Sequence, residues 1–327
     1  LGTFHQRNSR YRLPSELVQF LDRYATYNGS DPHRAPAMLQ VIPHLEHGMG
    51  TYFPKGGMIG IAQHLHAMAE AAGVRFKFKS RVESIEYESS EVIGLKVNGD
   101  FHPSNIVVSN SDVYPTYRHL LPQLKAPEKT LKRERSTSGL IFYWGINKTH
   151  RSLHLHNLFF SENYRDEFAR IGKNGHPGDD LTAYVNITSK CSPEDAPEGS
   201  ENWFVLINVA ADPDGMTEER VNFLRKAIIK RVDQALMKSG ELRAGESLAD
   251  SIEFERRLTP QDIETNTSSW RGALYGTSSN SAAAAFLRHR NRSKDLKGLF
   301  FCGGSVHPGG GIPLVLRSAK IVSELIP

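Results

Sequence analysis

The chain has 327 residues, a length that allows one large hydrophobic core or two smaller ones. Hydrophobic residues make up 39% of the sequence and charged residues 23%, a composition that excludes an intrinsically disordered chain. The 40 lysines and arginines are scattered among 36 acidic residues, which leaves a net charge of +4 but no basic stripe, so no nucleic-acid partner is predicted.

Apolar stretches in the sequence are short. The longest, such as residues 140–146, fall far below the roughly 20 residues that span a bilayer, so no transmembrane helix is predicted. Two cysteines, Cys191 and Cys302, cannot form a disulfide framework, and no secretory signal is recognised, which together favour a cytoplasmic setting. Because the first residue is leucine and not methionine, we expect the sequence to be part of a longer one.

The first third of the chain is predicted to contain helices followed by short strands. Apolar residues recur at helical spacing before the break at residues 29–32, and at alternating spacing after residue 73. The predicted helices are residues 13–27, 35–42 and 59–72, and the predicted strands are 74–78, 82–88, 91–97 and 105–110.

The middle of the chain has a different pattern from its end. Strands are predicted at residues 138–146, 182–188 and 203–209, followed by a long helix at 218–238, whereas 148–180 reads as a surface loop. This order predicts a mixed or antiparallel sheet with helices on one face. The tail then gives a buried strand, a glycine-rich turn and a helix at residues 313–325, so the predicted class is α/β with α+β character in the middle.

The glycine-rich turn is the sharpest local signal. It contains Gly303, Gly304, Gly309, Gly310 and Gly311 between the strand and the helix. Without side chains the backbone can approach a flat or anionic ligand, and the helix start offers free N–H groups and a positive dipole end. The turn could therefore bind a phosphate, a carboxylate or the edge of a flavin; it could equally be a tight strand-to-helix connection without a ligand.

These residues resemble a known family. The run from Gly303 through His307 to Ile312 and Pro313 is similar to the signature near the carboxyl terminus of bacterial phytoene and carotenoid desaturases, which are amine-oxidase-like flavoproteins. The resemblance covers essentially the whole chain, but the Gly-x-Gly-x-x-Gly unit that begins such proteins is not found in it. Further stretches that resemble the family are residues 27–37, 51–58, 107–112, 266–276 and 286–291.

The resemblance implies a two-domain flavoprotein whose chain passes between the domains. Residues 53–114 and 296–327 would be the remaining part of an FAD-binding domain. Residues 1–52 and 115–295 would form a substrate-binding domain built on a mixed sheet. Without the initial nucleotide-binding unit, the chain alone is expected to be inactive.

The implied reaction is the removal of two hydrogens from a C–C bond of a carotenoid, with FAD accepting a hydride and a quinone or oxygen reoxidising it. Other members of the superfamily leave alternatives: a carotenoid isomerase, an oxygenase or an amine oxidase. A non-catalytic module that binds carotenoid or lipid is a further alternative.

The resemblance also implies roles for the flavin-binding residues. The backbone of residues 309–312 would contact the isoalloxazine, and the helix at Pro313 would stabilise charge on it. Gly303 and Gly304 would pass close to the ribityl or pyrophosphate part. Val82 would meet the adenine, and Asn110 and Asp112 would border the nucleotide, although strand packing explains Val82 equally well.

Candidates for catalysis are fewer. His307 could transfer a proton or stabilise the turn, and Arg271 and Arg288 could orient substrate, offset charge on reduced flavin, or simply be solvated. No metal site is predicted, because the histidine pairs lack a zinc-binding pattern. Because a carotenoid resides in the bilayer, peripheral attachment to the cytoplasmic face of a membrane is expected, through residues 13–20 or 153–160; an isolated fragment would be cytoplasmic.

Overall fold

The computed structural model describes residues 2–327, so Leu1, which belongs to the predicted substrate domain, lies outside the described residues. Helices dominate the first part of the chain and are then interspersed with strands. The α-helices are α1 (Phe4–Ser9), α2 (Ser15–Asp22), α3 (Val41–Met49), α4 (Ile59–Ala71), α5 (Val113–Pro115), α6 (Glu128–Leu131), α7 (Tyr164–Asn174), α8 (Glu218–Lys238), α9 (Pro260–Thr267), α10 (Ala282–Phe286) and α11 (Ile312–Leu325).

The strands form three sheets. One has the order β1-β2-β3, the second pairs β10 with β4 in parallel, and the third is antiparallel with the order β6-β7-β8-β5-β9. This mixture confirms the predicted α/β class. The strands are β1 (Val82–Glu88), β2 (Glu91–Val97), β3 (Asp100–Pro103), β4 (Val107–Ser109), β5 (Ser138–Ile146), β6 (His156–Phe159), β7 (Ala183–Asn186), β8 (Glu201–Val209), β9 (Ile252–Leu258) and β10 (Leu299–Phe301).

The main core lies between the five-stranded sheet and α8. Alternate residues of β5 and β8 face the same side, as shown by the pairs Leu140–Ile207, Phe142–Val205 and Trp144–Trp203. The apolar stripe of α8 covers that face with Val221, Leu224, Ile228 and Val232. Period-two strands packed against a period-3.6 helix therefore make one continuous apolar layer.

A second core surrounds the parallel strands β4 and β10. Val107 and Leu299 pack there with Phe301, and Ile85 and Val92 join them from β1 and β2. The three-stranded sheet is attached to this core through the backbone, since the Val92 N–H donates to the Lys297 carbonyl (3.0 Å). Tyr117, Leu121 and Leu131 belong to the same core, which therefore combines residues 82–131 with the end of the chain; the exact domain boundaries stay a prediction.

Two sequence predictions about the fold are wrong. Residues 148–180 are not one loop, because they contain β6 and α7, and the latter carries Tyr164, Phe168 and Ile171 on its buried face. Residues 74–78 are not a strand: within residues 2–327 no strand pairs with them, and their side chains are exposed. In the stretch 153–160, Leu153 lies in the core and Leu155, Leu158, Phe159 and Phe160 are half-buried.

Other elements differ from prediction in their ends. The helix predicted at residues 13–27 is α2, followed by a 3-10 helix (Arg23–Asn28) that stops at Gly29 in the left-handed conformation. The helical stretch predicted at 35–42 is a short 3-10 turn that continues into α3. In residues 2–327 no helix is both long and apolar enough to cross a membrane.

Candidate functional site

The glycine-rich turn begins where two parallel strands end. Asn110 follows β4 by one residue and Gly303 follows β10 by two, so both lie at the carboxyl edge of the strand pair. Gly303 has a φ of 108°, and a Cβ atom there would lie 2.5 Å from the Asn110 Oδ1 atom. The two segments approach so closely that position 303 requires glycine. In open α/β sheets, ligands bind at this edge of the strands.

Two buried polar side chains fix the shape of the turn from behind. Asn291 Nδ2 donates to the carbonyls of Phe301 (3.1 Å) and His307 (2.9 Å) and reaches the Ser318 hydroxyl on α11 (3.0 Å). The same hydroxyl accepts the Gly303 N–H at 3.2 Å. Strand, turn and helix are thus joined at one point. The sequence alone predicts no role for Asn291 or Ser318, because neither stands in a recognisable catalytic or metal-binding pattern.

The middle of the turn is covered by side chains. A Cβ at position 309 would lie 3.0 Å from Arg288 Nε, and one at 310 would lie 2.9 Å from Tyr275 Cδ1. Both glycines are buried. The expectation that all of residues 309–312 present open backbone is therefore corrected, because Gly309 and Gly310 make room for these two side chains.

The open part of the turn is its last segment. Gly311 has a φ of 102°, and within residues 2–327 no atom lies within 4 Å of a Cβ placed on it. Ile312 and Pro313 are exposed as the first residues of α11, whose N-terminus has no side-chain cap in the described chain. A bare main chain, a helix dipole and an exposed apolar side chain therefore meet on one surface.

Arg288 is buried against Gly309, in the covered middle of the turn, with only 8% of its surface exposed. Its Nε atom has no hydrogen-bond partner in residues 2–327. Burial lowers the pKa of Arg288 to about 10, and Arg135 and Arg133 act in the same direction. The solvated alternative is therefore wrong. The guanidinium donates to three neutral oxygens, namely the Tyr275 carbonyl (2.9 Å), the Thr277 hydroxyl (3.3 Å) and the Ser279 hydroxyl (3.2 Å).

The other two predicted catalytic residues lie in different surroundings. His307 is exposed, and its backbone N–H donates to the His289 carbonyl (2.8 Å). Its side chain lines a cavity of about 770 Å³ that Arg288 also borders. Arg271 has left-handed backbone (φ 58°) and forms an ion pair with Asp212. The charge of Arg271 is thus balanced within the chain, whereas His307 remains available to a ligand.

The predicted nucleotide-side residues are divided between two places. Asp112 is buried, and its carboxylate accepts the Tyr114 backbone N–H (3.0 Å) and forms an ion pair with Arg135. The backbone N–H of Val113, the next residue, donates to the Ser305 hydroxyl of the turn (3.2 Å). Asp112 therefore supports the turn and is not free for a nucleotide hydroxyl. Val82 begins β1 in the three-stranded sheet and is half-buried; its contact with adenine stays a prediction.

Comparison with known families decides the affiliation. The profile described as "Flavin containing amine oxidoreductase" matches residues 2–327. The chain belongs to this flavin-containing amine oxidoreductase family. That membership confirms the family resemblance, the oxidoreductase class and the FAD cofactor expected from the sequence.

Individual relatives refine this placement in the flavin-containing amine oxidoreductase family. A 1-hydroxycarotenoid 3,4-desaturase of Flavobacterium sp. (strain P99-3) is 50% identical over 326 residues, covering 100% of this chain and 65% of that protein. A 4,4'-diapolycopene oxygenase of Methylomonas sp is 32% identical over 321 residues, covering 97% and 63%. The chain therefore spans less than two thirds of the length of these curated relatives.

A solved structure supports the fold. An oxidoreductase from Methanosarcina mazei superposes with a TM-score of 0.60 at 16% identity, covering 99% of this chain and 68% of that one. At such low identity the likeness establishes the architecture alone.

The residues present fit the flavin of this family. Gly311 leaves room for a flat ring, Ile312 offers an apolar contact, and the start of α11 favours negative charge. Arg288 adds a buried positive charge for which the described residues provide no carboxylate. These features together suit the edge of an isoalloxazine, on which charge develops during reduction.

Proposed function

We propose that this chain is the flavin-facing and substrate-binding part of a carotenoid desaturase, and that its substrate is a hydroxylated carotenoid. The 50% identity to a 1-hydroxycarotenoid 3,4-desaturase supports this reading. The observation that carries it is the open main chain at Gly311, backed by the buried charge of Arg288.

In this proposal FAD, when bound, would accept the hydride that leaves one carbon of a C–C single bond, while a proton leaves the neighbouring carbon and the single bond becomes a double bond. The protein residues position and polarise. Asn291 and Ser318 hold the turn, Gly311 allows close contact, and Arg288 favours the reduced state electrostatically. His307 is the predicted proton-transfer residue because its side chain is exposed beside the turn.

An oxygenase is the second candidate, because a 4,4'-diapolycopene oxygenase is 32% identical. Product analysis separates the two reactions. The protein at its full encoded length, loaded with FAD, would be incubated with a 1-hydroxylated acyclic carotenoid. Desaturation gives a product lighter by two hydrogens with red-shifted absorption; a product that gains oxygen identifies an oxygenase, and failure to bind flavin would contradict both.

We further propose peripheral attachment to the cytoplasmic face of a membrane, with a quinone or oxygen reoxidising the flavin. Leu17 and Phe20 are exposed on α2, and Leu13 is exposed just before it. The arginines at positions 7, 10 and 12 are exposed in the residues that precede this helix. An apolar helix face next to positive charge suits an anionic lipid surface.

Co-sedimentation with phosphatidylglycerol vesicles tests the membrane proposal. Replacing Leu17 and Phe20 together by serine should reduce the bound fraction several-fold, because both exposed apolar contacts are lost. Phe254→Ser, at a still more exposed position on β9, is the control and should bind like the unchanged protein. Equal binding by the unchanged protein, the double serine variant and the control would contradict the proposed attachment.

A further inference from the structure

Tyr275 is a half-buried side chain that lies against the glycine turn, next to its open segment. A Cβ atom on Gly310 would lie 2.9 Å from the Tyr275 Cδ1 atom, and Gly310 directly precedes Gly311. Consecutive Cα atoms are about 3.8 Å apart, so the ring stands beside the main chain that is proposed to contact the flavin. A group bound by Tyr275 would therefore lie close to the carbons that react there.

The ring of Tyr275 is held between two glycines. Gly310 lies at one edge of the ring, and at the other edge a Cβ atom on Gly29 would lie 2.9 Å from the Tyr275 Cδ2 atom. Because neither glycine carries a side chain, the main chain packs closely against both edges of the ring. The orientation of the ring is therefore set by main chain on its two sides.

The backbone of Tyr275 is fixed as well. Its N–H donates to the Ser136 hydroxyl (2.9 Å), and its carbonyl accepts from Arg288 Nη1 (2.9 Å). The next residue, Gly276, packs against the turn, since a Cβ atom there would lie 2.8 Å from the Ser305 Cα atom. Hydrogen bonds and close contacts thus hold the backbone and the ring of Tyr275 and leave only its hydroxyl end.

The hydroxyl of Tyr275 is not used within the described chain. It has no hydrogen-bond partner in residues 2–327, yet its oxygen is accessible and not enclosed. Tyrosine hydroxyls in buried surroundings normally have a partner. Burial raises the pKa of Tyr275, with Arg23 acting in the opposite direction, so the hydroxyl keeps its proton at neutral pH. An accessible, protonated hydroxyl on a fixed ring is suited to bind a neutral hydroxyl of a ligand.

The proposed function requires a hydroxyl group close to the reacting bond. The 50% identical relative is named for a hydroxyl at carbon 1 and a desaturation at carbons 3 and 4. In such a substrate the hydroxyl-bearing carbon is close to the bond that must lie at the flavin. With that bond beside Gly311, the hydroxyl lies next to the glycine turn, which is where the Tyr275 side chain is held.

We propose that Tyr275 donates a hydrogen bond to the hydroxyl group of a hydroxylated carotenoid and so positions the neighbouring C–C bond at the flavin. The ring of Tyr275 gives the adjacent carbons of the substrate an apolar contact. This assignment rests on the proposed desaturase function and deepens it by naming the residue that distinguishes hydroxylated substrate from plain hydrocarbon. Tyr275 binds and orients the substrate and takes no proton or hydride from it.

Paired binding measurements test the assignment. The protein at its full encoded length, loaded with FAD, would be titrated in detergent with a 1-hydroxylated carotenoid and with the hydrocarbon that lacks the hydroxyl. Tyr275→Phe keeps the ring and removes only the hydroxyl. It should weaken binding of the hydroxylated ligand about fivefold, the effect of one neutral hydrogen bond, and leave hydrocarbon binding within about twofold. Tyr87→Phe is the matched control, because Tyr87 is also half-buried but lies on β1 in the three-stranded sheet.

The outcomes separate the two proposals. If neither carotenoid binds to the unchanged protein, the desaturase function itself fails. If both bind to it equally well, or if Tyr275→Phe weakens both alike, the hydroxyl assignment is overturned while the function stands. Weaker binding of FAD by Tyr275→Phe than by the unchanged protein would also overturn it, because the hydroxyl would then contact the cofactor and not the substrate.

Discussion

The five-stranded sheet and the glycine turn are held together by opposite means. In the sheet, the inward residues of β5 and β8 and the stripe of α8 share one continuous apolar layer, in which each side chain is supported by many others. In the turn, shape depends on a few polar side chains that bond to backbone, chiefly Asn291 and Ser318. In the sheet, the packing does not depend on any one side chain, whereas the shape of the glycine turn depends on single residues.

This difference follows from what each region must do. Apolar packing needs both sides of a layer to be covered, whereas main chain that faces a ligand must be left bare on one side. The shape of such main chain has to be imposed from the opposite side, through hydrogen bonds and close contacts. The following substitutions should break or sharpen the contrast, beginning with the largest effect.

Leu224→Ala removes a fully buried side chain from the α8 stripe. We expect a loss of about 3 kcal/mol in the free energy of unfolding, since lost transfer energy and a residual cavity add together. Urea denaturation measures it. Phe223→Ala, at the neighbouring exposed position of the same helix, should cost less than about 1 kcal/mol. Equal losses would contradict the description of α8 as a one-sided helix.

Glu201→Gln tests a buried charged side chain on β8, an exception to the apolar packing of the sheet region. Burial alone would raise the pKa of Glu201, but hydrogen bonds from His150, Lys190 and Trp203 outweigh it and lower the pKa to about 2. Neutralising the carboxylate should cost about 2 kcal/mol at neutral pH. Because the folded-state pKa is depressed, this stability is present above the unfolded-state pKa of about 4.3 and lost as pH falls toward 2.

The pH series provides the check on Glu201. The difference in unfolding free energy between the unchanged protein and Glu201→Gln should be constant above about pH 5 and should shrink from about pH 5 to about pH 2. Glu198→Gln, an exposed control, should show neither the loss nor the trend. A difference that stays constant with pH would mean that the charge of Glu201 is not what stabilises the fold.

The sheet region was the easier part to predict from sequence. Strand 138–146 and helix 218–238 have the predicted bounds because their periodicity matches their burial. The error at residues 148–180 has a physical reason. The helix α7 is polar on most of its surface, so the polar composition of this stretch predicts a loop and hides the short apolar stripe of the helix. The capping residue Asn163 and the terminating Gly175 are the sequence signals that indicate a helix.

Asn291→Ala should have a moderate global effect and a strong local one. It leaves the carbonyls of Phe301 and His307 and the Ser318 hydroxyl without this donor, at a cost of about 2 kcal/mol. Hydrogen exchange measured by mass spectrometry should rise in peptides covering residues 303–310 and stay unchanged in β5 and β8. The exposed Asn266→Ala is the control. Uniform loss of protection across the chain would show that Asn291 supports the whole fold.

In the turn, the sequence pattern shows the glycines but does not show which of them pack against side chains and which one is open. Five glycines looked alike as a pattern, yet Gly309 and Gly310 accommodate Arg288 and Tyr275, and Gly311 alone among these three is open. Arg288 lies 21 residues before Gly309, and Tyr275 lies 35 residues before Gly310. Contacts over such separations depend on tertiary packing, which local pattern cannot supply.

Gly311→Ala should have the smallest effect on stability, about 1 kcal/mol, because the positive φ is strained with a side chain but the methyl group meets no neighbour in the described chain. Gly310→Ala should cost more and increase hydrogen exchange around Tyr275, which its Cβ would displace.

Binding of flavin by the protein at its full encoded length adds the decisive comparison. The methyl group at 311 should weaken FAD binding about tenfold, about 1.4 kcal/mol, although it scarcely alters the fold. If Gly311→Ala binds FAD normally, the open backbone is not the flavin contact, because a group that touches the ring cannot acquire a methyl without consequence.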